Sequence, residues 1–174
     1  MRRARDERGF TLAELLVAVS ILGVIMVPLC GSIIVGLRTT SDSQERLMEA
    51  RGAQLTANYF PFDVASATNI VPADPAPCGG TGPAVVASFD WADDRSLTNE
   101  VTYAVPAGTT DMVRMFCQGG SLVSKNLLAS GLSGTPTIAC APTAACDATF
   151  KSATLTVKGT SGWQYTVTGT RRSA

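Results

Sequence analysis

The chain has 174 residues, a formal net charge of +0, and 45% hydrophobic but only 6% aromatic side chains. That length allows one modest globular domain beside a membrane segment, and the balanced charge offers no footprint for nucleic acid. The chain contains no histidine, which removes Ser-His-Asp and Cys-His arrangements and the commonest metal ligand. The cysteines at 30, 78, 117, 140 and 146 form no C-x-x-C pair, so zinc-ribbon and thioredoxin-like spacings are missing as well. Composition argues against an enzyme, and neither cofactor nor metal is expected.

Arg2, Arg3, Arg5 and Arg8, partly offset by Asp6 and Glu7, lead into the string RGFTLAELLVAVSILGVIMVPLCG. Glu14 is the only charge between Arg8 and Arg38, so residues 15–37 carry none. As a helix rising about 1.5 Å per residue, that run reaches roughly 34 Å, enough for a hydrocarbon core about 30 Å thick. The basic leader predicts a cytoplasmic amino terminus and an external carboxyl-terminal bulk. A secretory signal has a shorter apolar core of about 7–15 residues. A plain signal anchor fits the length but leaves Glu14 unexplained. One local explanation is available: Thr11 and Glu14 match the T-x-x-E capping box, which satisfies amides at a helix start.

Gly9 followed by "FTLAE" and a long apolar helix resembles the class III leader of type IV pilins and type II secretion pseudopilins. The resemblance covers about the first fifth of the chain. It implies that a membrane-bound prepilin peptidase cuts between Gly9 and Phe10 on the cytoplasmic side, and that the new Phe10 amine is then methylated. Glu14 becomes the fifth residue of the mature chain, the position of the family's signature glutamate. A carboxylate inside lipid is costly and is normally paired. The family's filament model supplies the partner: Glu14 of an incoming subunit attracts the Phe10 amine of its neighbour and sets the axial stagger. Pro28 and Gly31 are expected to disturb helix bonding or packing; family helices often carry their proline a few positions later. Cys30 reads as a small packing residue.

After residue 37 the chain turns amphipathic, in "RTTSDSQERLMEARGAQLTANYF", with Leu37, Met48, Leu55 and Tyr59 at near-helical intervals. One helix is expected from about Phe10 to Phe60, ending near Pro61, with that apolar stripe laid against a globular head. The interspersed charges read as a solvated face. "ANYFPFDVASA" resembles the minor, J-type or PilW-like, subunits more than a major pilin.

"VPADPAPCGGTGP" reads as a loop, and "CGGTG" lacks the Gly-Lys-Ser/Thr end of a phosphate loop. Strands are expected at 84–91, 100–105, 112–117, 136–140, 153–158 and 163–170. Val101, Tyr103 and Val105 share one face; Val113, Met115 and Cys117 share another, and so do Trp163, Tyr165 and Val167. "LTVKGTSGWQYTVTGT" predicts a terminal hairpin. The sum is an α+β architecture: a long amino-terminal helix, half membranous and half amphipathic, packed on an antiparallel β-sheet head. The expected divisions are a leader at 1–9, a transmembrane half at 10–37, an amphipathic half at 38–62 and an extracytoplasmic head at 63–174.

Cys78, Cys117, Cys140 and Cys146 form an even set in the expected head, and oxidising compartments favour bridging. Three pairings are open; Cys140–Cys146 as a short loop and Cys78–Cys117 as a longer staple are favoured, against Cys117 as a buried thiol. Asp90, Asp93 and Asp94 cluster around Trp91 and read as a surface turn, with no EF-hand spacing for calcium. Arg171 and Arg172 read as a polar end of an edge strand rather than a DNA-binding patch.

The leading expectation is a minor pilin or pseudopilin that helps initiate or cap a type IV pilus or type II secretion pseudopilus. Its partners would be prepilin peptidase, other pilin or pseudopilin subunits and the cytoplasmic membrane, with no nucleic acid. It would sit first as a single-pass membrane protein, head outside, and then in the filament. The alternative is a single-pass, membrane-anchored extracytoplasmic binding module that never polymerises.

Overall fold

The structure, a computed structural model, describes residues 11–78, 80, 83–92, 97–143, 146 and 149–172. One helix, α1 (Leu12–Ser66), precedes eight strands: β1 (Asn69–Pro72), β2 (Ala84–Ala92), β3 (Thr98–Val105), β4 (Met112–Gln118), β5 (Ser121–Ala129), β6 (Thr137–Ala141), β7 (Ser152–Lys158) and β8 (Gln164–Thr170). By its contacts the chain divides into two units, Met1–Glu45 and Arg46–Ala174.

In the first unit, Leu12–Leu37 is long and apolar enough to cross a membrane, and its residues are exposed throughout. The helix continues across Pro28 and Gly31; a proline there removes one amide donor without ending the helix in this chain. Both serines of the span turn their hydroxyls back onto the helix, Ser20 to the Leu16 carbonyl at 2.8 Å and Ser32 to the Leu29 carbonyl at 2.8 Å. Neither therefore presents an unbonded donor to hydrocarbon.

The second unit joins the end of α1 to two antiparallel sheets, β1-β2-β3-β4-β5 and β6-β7-β8. Each is a meander of sequence neighbours, so every connection can be short. The largest core gathers Phe60 and Val64 of the helix, Phe89 of β2, Val101 and Tyr103 of β3, and Leu155 and Val157 of β7, all fully buried. Phe60, Phe89 and Tyr103 meet edge to face, with centroids 5.4–5.8 Å apart, the geometry that ring quadrupoles favour. The opposite face of the larger sheet is also covered. Ala104, Val113, Met115 and Cys117 form a second small core with Cys78 from the Pro/Gly-rich loop.

Three expectations need correction. The helix does not stop near Pro61 but runs to Ser66. An interior proline costs a helix roughly 3 kcal/mol, yet the last turn buries Asp63 and Val64, and that burial outweighs the lost bond. The buried stripe is also displaced: Gly52, Thr56, Phe60, Asp63 and Val64 face inward, Leu55 and Tyr59 are half-buried, and Met48 is exposed. Close approach decides this, since a Cβ on Gly52 would lie 3.1 Å from the Leu128 carbonyl oxygen. Finally, the head contains β1 and β5 besides the six expected strands.

A polar lock fixes the helix to the larger sheet. Arg114 donates from Nε and Nη2 to Asp63 at 2.7 and 2.6 Å, and the Tyr103 hydroxyl donates to Asp63 Oδ2 at 2.6 Å. The guanidinium also lies over the Tyr59 ring, 4.9 Å from its centroid. Burial, then the Asp63 carboxylate, hold the Tyr103 hydroxyl well above the ordinary tyrosine range. A folded-state pKa raised in this way means that stability is intact below the unfolded tyrosine pKa of about 10 and is lost as pH rises through it. Tyr165, raised chiefly by burial, acts in the same sense. Chemical-denaturation series should therefore be flat from pH 7 to about 9 and fall above about 10, and Tyr103→Phe should flatten the alkaline fall; an unchanged slope would refute the assignment.

Candidate functional site

The site with a chemical signature lies at the start of α1. Helix amides in the first turn lack intrahelical partners, and here Thr11 and Glu14 satisfy two of them reciprocally. The Thr11 N–H donates to Glu14 Oε2 at 2.9 Å, the Thr11 hydroxyl donates to the same oxygen at 2.8 Å, and the Glu14 N–H donates to Thr11 Oγ1 at 3.3 Å. This is a capping box. It holds the single carboxylate of the apolar span against the helix start, with Oε2 taking both bonds. Gly9 and Phe10, the expected processing residues, lie outside the described residues.

The head cysteines are bridged. Cys78 joins Cys117 across a separation of 39 residues, and Cys140 joins Cys146 across 6, with Cys30 left as a free thiol. The longer bridge pins the Pro/Gly-rich loop onto the outer face of β4, where the Cys78 N–H also donates to Glu100. That attachment is what closes the second small core.

The acidic cluster around Trp91 is differently composed from the one read in sequence. Asp93 and Asp94 lie outside the described residues, while Asp90 pairs in register with Glu100. Burial first, then Glu100 and Asp74, raise the Asp90 carboxyl above its usual value. Among the described residues no group of three or more Cys, Asp or Glu side chains is placed to hold a metal. Arg171 lies with its guanidinium 5.1 Å from the Phe150 ring centroid, and its N–H donates to the Lys151 carbonyl.

Sequence reasoning missed the Asp63–Arg114 pair. Its signal was faint: one acid in an otherwise closing helix and one arginine inside an apolar strand.

With that geometry in view, the family model describing the prokaryotic N-terminal methylation motif matches residues 4–29. The match takes in Arg5 and Arg8 of the basic leader, the capping box and most of the apolar span, and it supports a protein of the type IV pilin or pseudopilin kind, a class that is structural rather than catalytic. No curated protein and no solved structure matches the chain.

Proposed function

We propose that the protein is a minor pilin or pseudopilin that helps initiate or cap a filament. Prepilin peptidase would remove residues 1–9, Phe10 would be methylated, and the span after it would hold the subunit in the cytoplasmic membrane with its head outside. Glu14 of this subunit would then pair with the Phe10 amine of a neighbour as the apolar helices bundle. The observation that carries the reading is the coincidence of the methylation motif at 4–29 with a membrane-length helix, Leu12–Leu37, whose sole charge is Glu14. The bridged head suits an exported location.

The test is recovery from sheared surface filaments. The protein should be present in the sheared fraction of cells with an active prepilin peptidase and missing from that fraction without it. Equal presence in both would contradict processing-dependent assembly. The Thr11–Glu14 capping box gives some support to a second reading, a non-polymerising anchor in which Glu14 only caps its own helix; on that reading the protein never enters the sheared fraction.

A further inference from the structure

Strand β5 forms one edge of the larger sheet and pairs only with β4. Among the described residues none of its backbone groups bonds anything else, so a row of unpaired N–H and C=O groups faces outward. The other edges are guarded. Strand β1 has 4 residues and ends in Pro72, and neither β6 nor β8 shows an exposed large apolar side chain. Strand β5 has 9 residues, and its Leu122, Val123 and Leu127 are 51–59% exposed.

Register fixes what lies on each side of that edge. Leu122, Lys125 and Leu127 oppose Cys117, Met115 and Val113, so they share the face of the second small core. Ser124 and Asn126 oppose Phe116 and Arg114 on the helix face. There α1 and the end of β5 leave a groove lined by Met48, Arg51, Leu55 and Leu128, with no acid in its lining. Lys125 and Arg51 are exposed and, among the described residues, have neither hydrogen bond nor ion pair. The acids around them are engaged or distant. Asp63 is held by Arg114, and Glu100, on β3, accepts from the Cys78 N–H and the Thr102 hydroxyl. Glu49 is half-buried on α1, and Asp111 lies four residues before the register partner of Lys125, roughly 13 Å along the strand.

A strand laid along β5 therefore meets backbone donors and acceptors at its inner edge, aliphatic side chains on both faces and one unpaired cation on each. A second copy fits badly. Lys125 is the middle residue of β5, so full antiparallel self-pairing sets one Lys125 against the other, and like charges directly opposite are destabilising. A lysine that guards an edge against its own kind still admits an acidic strand.

We propose that β5 takes an added strand from another polypeptide, an extended segment that alternates aliphatic and acidic side chains. Main-chain bonds to the open edge hold it, the aliphatic side chains cover Leu122 and Leu127, and its carboxylates pair with Lys125 and Arg51. The inference concerns the head alone and does not depend on whether the subunit polymerises.

The experiment uses the full-length protein in detergent micelles and a labelled peptide of about ten residues alternating valine and glutamate, long enough to span the edge. Its parallel probes are a valine–lysine peptide and a valine–glutamate peptide with a central proline, which cannot complete the ladder. The valine–glutamate peptide should bind and slow amide exchange across β5 but not across β8. The valine–lysine peptide should bind at least tenfold more weakly, and the proline peptide should not bind. Lys125→Glu should weaken the valine–glutamate peptide by roughly fivefold, while Lys158→Gln, on the other sheet, should change nothing. No binding, equal binding of either parallel probe, unchanged exchange at β5, or a Lys125→Glu protein that binds like wild type would overturn the proposal. A head that dimerises through β5 and excludes the peptide would also overturn it, by making a second copy the occupant.

Discussion

Glu14→Gln should leave the protein cleaved and membrane-bound but reduce its entry into filaments by roughly a hundredfold, the order expected when an ion pair in a low-dielectric setting loses one charge. Glutamine is the informative substitution because it also suits the third position of a capping box. Its amide oxygen can accept from the Thr11 N–H and hydroxyl as Oε2 does now. The helix start is thereby kept while the charge is removed. If Glu14 acts only as a cap, Glu14→Gln assembles normally, and the registration role is lost as an explanation. Glu14→Ala should show the same assembly loss with processing unimpaired, because the proposed cleavage falls between Gly9 and Phe10.

Asp63→Ala should be the most damaging substitution in the head. The Asp63 side chain is 6% exposed and that of Arg114 11%, and they meet at 2.6 Å. Removing one partner leaves a buried charge uncompensated, a cost of about 3–5 kcal/mol. It also strands the Tyr103 hydroxyl, which now donates to Asp63. For a folded unit of this size the loss corresponds to a melting temperature lower by on the order of 10–15 °C. Arg114→Met should do comparable harm. The double variant Asp63→Leu/Arg114→Met should recover much of the stability, since apolar replacements of buried pairs are often neutral. Thermal unfolding of wild type, Asp63→Leu, Arg114→Met and the double variant closes a cycle and gives the coupling; single variants within about 1 kcal/mol of wild type would show that the pair is not a lock.

The parts of this molecule legible in sequence are those governed by local pattern. Alternation at Val101, Tyr103 and Val105 marked β3, and the apolar run marked the span. What pattern could not show was the cover on the second face of the larger sheet. Thr102 and Ala104 are as deeply buried as their neighbours because a loop, tied down through Cys78, lies across them. Strand β5 was hidden for the opposite reason. As an edge strand it is mostly solvated, and Ser124, Lys125 and Asn126 interrupt any alternation. The Gly119-Gly120 pair was its one signal: both glycines have positive φ, 57° and 80°, as a tight hairpin turn requires. Pro61 misled because a local stop signal competes with tertiary burial, and Phe60, Asp63 and Val64 supplied enough of it to carry the helix onward. At the candidate site, the Thr11–Glu14 spacing was readable as a cap; a partner amine from another chain is not a property of one sequence.

Mass spectrometry of the amino-terminal peptide, taken from protein isolated from its native membrane, probes the central claim most directly. The expected peptide begins at Phe10 and carries one methyl group on its amine. A peptide that still begins at Met1, with the arginines intact, would mean that no cationic end ever forms beside the apolar helix, and Glu14 would have nothing on a neighbouring subunit to recognise.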